Sequence, residues 1–170
     1  TARWKAARPR WVFDRIRSLV VSMIARRVMH VQYGGSFMDD CIMKTQVKTA
    51  RPWEEQCGYS RAVRVGNMID TSLTSPASET GAILFPGNVY KQTLVCLDII
   101  KLAIEELGGS MDGVFRTRIY LADPRRWAES GRAHKEVFGD AGRTLGWIYM
   151  SGFFNPDIAV EVECSAYCER

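Results

Sequence analysis

The sequence predicts an α+β sandwich, in which two helices cover one face of a mixed sheet. First, residues 88–107 have a helical period and lead through Gly108-Gly109 into residues 114–121, which alternate like a strand, so a helix feeds a strand across a short link. Second, the chain lacks the regular strand and helix alternation of a parallel sheet and contains a hairpin pattern instead. The predicted element order is β-β-α-β-α-β-β.

The central helix is bounded by local signals. Asn88 follows the Pro86-Gly87 turn and can cap the first turn, and Gly108 offers the left-handed conformation that ends a helix. Between them, residues at three- and four-residue spacing form one apolar stripe: Thr93, Cys96, Leu97, Ile100, Ala103, Ile104 and Leu107. This pattern predicts a helix with a single buried face.

The remaining elements follow from alternation and turn chemistry. A two-residue turn, Gly66-Asn67, joins two alternating runs into a hairpin, and Asp123-Pro124 opens a second helix that Gly139 ends. In the last strand, Glu161 and Glu163 alternate with apolar residues. The predicted strands are residues 61–65, 68–73, 114–121, 145–150 and 158–167.

The N-terminal part differs from the rest in charge. Residues 1–30 carry a net charge of +7, so the total of +4 leaves −3 for residues 31–170. Residues 11–29 form a basic amphipathic pattern, which suits a targeting segment, a membrane surface or a nucleic-acid backbone, and equally a helix docked on its own domain or sequence without a selected role. We therefore divide the chain into a basic extension and linker, residues 1–58, with one short strand predicted around residues 42–47, and an α+β domain, residues 59–170.

Composition limits the remaining function classes. No apolar run is long enough to span a membrane, and the two histidines lie away from the cysteines, so we predict neither a transmembrane segment nor a metal site. The five cysteines are odd in number and irregular in spacing, which favours reduced thiols and a cytoplasmic location, with a mitochondrial one if the basic helix is a targeting segment. His134 is interpreted as a helix-face residue.

The order of several segments resembles the YjgF/RidA family, also labelled endoribonuclease L-PSP. The resemblance covers about residues 59–167 and rests on residues 63–69, 92–109, 116–123, 151–152 and 160–164. It implies a chorismate-mutase-like fold and a homotrimer with three clefts between subunits. In the Rid branch, such clefts hydrolyse reactive enamines and imines that carry a carboxylate to 2-keto acids and ammonia, without a cofactor.

The resemblance also assigns candidate site residues, with two departures. Glu161 matches the family's acidic residue, which positions or activates the attacking water. The deaminase arginine that holds the substrate carboxylate corresponds here to Leu145, with Arg143 two residues upstream, and the family's Ser-Gly is Ser72-Leu73. The predicted catalytic residues are thus Glu161 and Arg143. The predicted substrate-binding residues are Ser72, Leu73, Arg118, Leu145, Trp147 and Tyr149.

Three functions remain open at this point. One is a hydrolase that deaminates enamines and imines, with Arg143 or Arg118 binding the carboxylate. The second is a trimeric ligand-binding or structural relative whose catalytic arginine is lost, as Leu145 and Leu73 suggest. The third, RNA cleavage, is disfavoured because residues 31–170 are net negative and lack a basic patch interleaved with aromatic residues.

Overall fold

The computed structural model describes residues 44–49 and 51–169, apart from the side chain of Pro52. The predicted basic helix, residues 11–29, lies outside these residues. Two single-turn 3₁₀ helices, Met111–Gly113 and Pro124–Arg126, precede β4 and α3. The described elements are β1 (Lys44–Val47), α1 (Pro52–Gln56), β2 (Ala62–Val65), β3 (Met68–Thr71), α2 (Val89–Glu106), β4 (Val114–Leu121), α3 (Trp127–Phe138), β5 (Thr144–Tyr149) and β6 (Val160–Tyr167).

The strands form one mixed sheet in the order β1-β2-β3-β6-β4-β5. The pair β4–β5 is parallel and is connected through α3, as a parallel pair requires a crossover, while the other neighbours are antiparallel. From β2 onward the element order is the predicted one. The predicted α+β class with a mixed sheet is confirmed.

Both long helices bury their apolar sides in the same core. Ile100 and Ile104 of α2 and Ala133 of α3 pack in one cluster with Ile119 of β4 and Val162 of β6. The predicted limits of α2 also hold, because Asn88 Oδ1 accepts a hydrogen bond from Lys91 N (2.9 Å) and Gly108 adopts φ 78°. The helices therefore cover one face of the sheet, as predicted.

Residues 44–58 belong to the packed structure, although the sequence analysis placed them in a linker. Strand β1 pairs with β2, and Val47 joins the core opposite Ala62. Arg51, which directly precedes α1, and Glu54, which lies in α1, are both buried. The short strand predicted around residues 42–47 is confirmed as β1, whereas a five-residue helix is too short for a periodic apolar pattern, so α1 was not predicted.

The described cysteines and helices bear on two other predictions. Cys164 and Cys168 are buried free thiols, and burial raises the pKa of Cys164 to about 12. Among the described residues, no helix combines the length and apolar composition needed to cross a bilayer.

We expect Gly113→Ala to destabilise the fold, because an added Cβ would lie 2.2 Å from the backbone oxygen of Tyr167. Backbone cannot withdraw as a flexible side chain can, so the cost should be about 1–3 kcal/mol of unfolding free energy, measured by chemical denaturation. Gly152→Ala is the matched control, since its Cβ would meet no described atom within 4 Å. Equal stability of the two variants would contradict the close approach.

Candidate functional site

The face of the sheet without helices carries the charged residues of the central strands. Along β6, Val160 and Val162 point to the helices, so Glu161 and Glu163 point to the opposite side, which we call the helix-free face. The cross-strand register adds further polar residues to this face. They are Asp70, Arg116, Arg118, Tyr120 and Ser165.

A polar pocket of about 230 Å³ opens on this face between β3, β6 and β4. In it, Arg118 Nη1 donates to Glu163 Oε1 (2.5 Å), which also accepts from Tyr120 Oη (3.2 Å). Ser165 Oγ donates to Asp70 Oδ1 at 2.5 Å. The guanidinium of Arg118, a predicted carboxylate binder, thus already has an anionic partner.

Glu161 occupies a different environment from Glu163. It is only 6% exposed, and its carboxylate accepts a hydrogen bond from the hydroxyl of Ser75. Burial raises the pKa of Glu161 above its usual range, although the Ser75 hydrogen bond and the charge of Arg61 act in the opposite direction. A buried carboxyl whose pKa is displaced from its usual range is a candidate for proton transfer.

A buried ion pair lies beneath the loop that carries Ser75. Arg61 Nη2 is 3.3 Å from Glu54 Oε1, and both side chains are at least 98% buried. Glu54 also accepts from the backbone N–H (2.7 Å) and the hydroxyl (2.5 Å) of Thr49. Arg61 Nη1 donates to Leu73 O and Thr74 Oγ1, each at 3.1 Å. We call these five residues the buried ion network.

Further bonds hold the loop of residues 72–78 in place. Thr74 exchanges two backbone hydrogen bonds with Val162 on β6, at 2.8 and 3.1 Å. At the other end, Arg51 Nη2 donates to Ala77 O at 2.5 Å. The loop is therefore tied to β6, to Arg61 and to Arg51, which places Ser75 beside Glu161.

Ser72 and Leu73, two predicted binding residues, lie at the start of this loop. The Ser72 hydroxyl donates to Ser60 O (2.6 Å), and its N–H donates to Arg61 O (2.8 Å). These bonds continue the pairing of the hairpin beyond β3. Among the described residues, the hydroxyl that donates a hydrogen bond to Glu161 belongs to Ser75 and not to Ser72.

Arg143 lies at the other end of the sheet from Glu161. Its guanidinium donates to Phe138 O (3.3 Å) and Met111 O (3.0 Å) and packs 4.8 Å from the centre of the Phe138 ring. Arg143 directly precedes Thr144, which pairs with Arg116 on β4, whereas Glu161 pairs with Tyr120 on the same strand. These two positions on β4 are four residues apart, which corresponds to roughly 13 Å along the strand. Within one chain, the structure does not bring the two predicted catalytic residues together.

The predicted aromatic wall of the cleft lies on β5. Leu145 and Trp147 pack against the helix-side core, and Trp147 Nε1 donates to Ser130 Oγ at 3.0 Å. Trp147 also makes an edge contact with Trp127, with ring centroids 5.6 Å apart. Tyr149 is 53% exposed at the end of the strand. These β5 residues share a face with the helices and not with Glu161.

His134 is a buried residue on the helix face, as the sequence interpretation had it. Its ring lies 4.5 Å from that of Phe138, and burial, with the charge of Arg143, lowers its pKa to about 4. Within residues 44–49 and 51–169, no three His, Cys, Asp or Glu side chains converge as metal ligands would.

Sequence reasoning missed two residues beside Glu161. Ser75 lies in a Ser-, Thr- and Pro-rich stretch that indicates a loop but no partner for the hydroxyl. Arg61 was interpreted only as part of the hairpin, although it is 1% exposed. The only available signal was an arginine beside apolar Ala62 and Val63, and such a pattern also fits an exposed strand residue.

Comparison with protein families gives a match over most of the described chain. The family model described as endoribonuclease L-PSP matches residues 49–168. The uncharacterized protein SCO2049 of Streptomyces coelicolor is 34% identical over 122 residues, which cover 72% of this chain and 90% of that protein. The family-model match begins at residue 49, which lies upstream of α1 and within the segment predicted to be a linker.

A solved structure and a named enzyme are also similar. The crystal structure of Rv2704 from Mycobacterium tuberculosis, described as a member of the YjgF/YER057c/UK114 family, superposes with a TM-score of 0.65 at 32% identity and covers 73% of this chain and 98% of that one. The 3-aminoacrylate deaminase RutC of Acinetobacter baylyi is 25% identical over 109 residues, which are 64% of this chain and 86% of RutC.

Proposed function

The chain belongs to the endoribonuclease L-PSP family, also called YjgF/RidA, and from that membership we propose that it hydrolyses small reactive enamines or imines to keto acids and ammonia. Its α+β sandwich is the chorismate-mutase-like fold of the family. The observation that carries the proposal is the buried carboxyl of Glu161, held by Ser75, with a pKa raised by burial. The similarity to a 3-aminoacrylate deaminase supports the proposed substrate class.

In the proposed reaction, water attacks the carbon of a protonated imine. Glu161, in its ionised form, orients the water and accepts a proton as the C–O bond forms. Glu161 then returns this proton to the nitrogen of the carbinolamine. As the C–N bond breaks and ammonia leaves, the carbinolamine hydroxyl becomes the keto oxygen and gives its proton to Glu161 and from there to solvent, so that a keto acid and ammonia remain. An enamine enters the same path after it takes up a proton at carbon and becomes the imine.

The positions of Arg143 and Glu161 support a site between subunits. Because they lie at opposite ends of the sheet within one chain, both can serve one substrate only if they come from different copies. We therefore propose a homotrimer whose clefts combine Glu161 of one subunit with Arg143 of the next. Arg143 Nε has no hydrogen-bond partner among the described residues, but it is buried and the side chain is only 7% exposed, so the proposal requires the guanidinium to turn outward before it binds a substrate carboxylate.

Mixing experiments test this arrangement together with the activity. Ammonia release from freshly generated 2-aminoacrylate is measured for the wild type, for Glu161→Gln, for Arg143→Gln, and for the two variants co-expressed. If each cleft draws one residue from each of two subunits, random mixing restores about one quarter of the wild-type rate, because that share of clefts keeps both residues.

Two results would count against the proposal. If the mixture is no more active than the separate variants, then either both residues act within one subunit or Arg143 is not part of the site. Wild-type turnover no faster than the spontaneous decay of 2-aminoacrylate and of a larger imine contradicts the deaminase itself.

A second candidate function is small-ligand binding without catalysis. The observation that favours it is the occupied guanidinium of Arg143, whose Nη atoms donate to the backbone at the end of α3 and before β4. In this case the family's deaminase arginine is absent, as the alignment with Leu145 predicts. Saturable binding of 2-keto acids, without ammonia release from any imine, would favour this second function.

We also propose a cytoplasmic location. The four described cysteines, of which three are buried, are free thiols. Free thiols are typical of a reducing compartment. Thiol titration under native and denaturing conditions checks the reduced state in cells.

A further inference from the structure

Beyond the assigned site residues, Arg61 has the geometry of a residue that acts through another. We propose that Arg61 is a positioning residue, which holds residues 73–74 so that the hydroxyl of Ser75 reaches the carboxylate of Glu161. The link to turnover rests on the proposed function, whereas the link between Arg61, Ser75 and Glu161 can be measured without any substrate.

The first step of the argument is the path of hydrogen bonds. One guanidinium nitrogen, Arg61 Nη1, donates to both Leu73 O and Thr74 Oγ1 at 3.1 Å. Ser75 follows directly in the chain, and its hydroxyl donates to Glu161. Since Thr74 is also paired with Val162 on β6, the loop has little freedom to reorient while Arg61 is in place.

The second step is how Arg61 itself is held. Its side chain is 98% buried, and Glu54 accepts from its other terminal nitrogen at 3.3 Å. Glu54 is fixed in turn by two hydrogen bonds from Thr49. A buried guanidinium held on both sides has one orientation, so it can transmit a fixed position to the loop.

The third step is the charge environment of Glu161. Arg61 is the cation that acts on this carboxyl, Ser75 is its hydrogen-bond donor, and the buried thiol of Cys96 on α2 is a further titratable group that interacts with it. Burial raises the pKa of Glu161, and both Arg61 and Ser75 oppose this effect by favouring the ionised form. Loss of either contact should therefore raise the pKa further.

A cycle of four proteins tests whether Arg61 acts through Ser75: the wild type, Arg61→Lys, Ser75→Ala and the double variant. The side-chain carboxyl of Glu161, assigned with Glu161→Gln, is titrated by ¹³C NMR in the full chain. Lysine keeps the charge beside Glu54 but cannot reproduce the planar guanidinium contacts to residues 73–74. Arg64→Lys is the control, because Arg64 lies on β2, directly downstream of Arg61, and donates to Gly66 O and Leu107 O instead.

The expected result is non-additive. Ser75→Ala should raise the midpoint of Glu161 by about one pH unit in the wild type and by less than half of that in the Arg61→Lys background, where the hydroxyl no longer holds its position. Arg64→Lys should leave the midpoint unchanged. The same shift in both backgrounds overturns the proposal.

Two additions separate the possible failures. If Arg61→Lys does not fold, Thr74→Val takes its place in the cycle, since it removes one of the bonds from Arg61 without changing the charge. Ammonia release is measured in parallel. Non-additive shifts of the Glu161 midpoint without ammonia release support the positioning role of Arg61 and overturn the deaminase proposal. Ammonia release with additive shifts supports the deaminase proposal and overturns the positioning role.

Discussion

Glu161→Gln is expected to lower the turnover of an imine substrate by roughly 10²–10⁴-fold, the range for loss of a general base. The amide keeps the shape of the side chain and can still bond the Ser75 hydroxyl, but it cannot accept a proton from water. The measurement is the initial rate of ammonia release from 2-aminoacrylate, corrected for spontaneous decay.

The pH dependence of the wild type gives a second readout of the same residue. The reaction needs ionised Glu161, and burial raises the pKa of this carboxyl, so the rate should fall as the pH falls through that raised pKa. The acidic limb of the profile should therefore lie above the range of an ordinary glutamate.

Glu163→Gln is the matched control for both experiments. Glu163 lies two residues away on the same strand and face, but is paired with Arg118 in the polar pocket. Its replacement should change turnover by no more than a few-fold. Equal losses in both variants, or an unchanged rate for Glu161→Gln, would exclude Glu161 as the base.

Glu54→Ala should cost about 3–5 kcal/mol of unfolding free energy, because it leaves the charge of Arg61 buried without a partner. Thr49 loses its acceptor for two hydrogen bonds at the same time. The measurement is chemical denaturation at fixed protein concentration, since an oligomer's stability depends on concentration.

Two further variants separate loss of the ion pair from loss of a carboxylate in general. Glu105→Ala removes the acid of an exposed pair on α2, Lys101–Glu105 (3.8 Å), and should cost no more than about 0.5 kcal/mol. Glu54→Leu combined with Arg61→Met removes both charges and should recover much of the loss. A loss below about 1 kcal/mol for Glu54→Ala would show that water reaches the pair.

Local patterns in the sequence were sufficient for the two long helices, the hairpin and the two faces of β6. The cap at Asn88 and the stop at Gly108 depend on residues within a few positions, and alternation along β6 correctly separates Glu161 from Val160 and Val162. Such signals are read one element at a time, because a repeating apolar pattern reports which side of an element is buried.

The surroundings of Glu161 and Arg143 were decided by tertiary structure alone. The hydrogen bond between Ser75 and Glu161 joins residues 86 positions apart, and that between Arg51 and Ala77 joins residues 26 apart. Strand β1 and helix α1 become part of the fold through pairing with β2 and through Glu54. The sequence by itself thus determined the elements from β2 onward and the buried sides of α2 and β6. Buried polar contacts have no period, so only the folded chain fixes which distant groups satisfy one another.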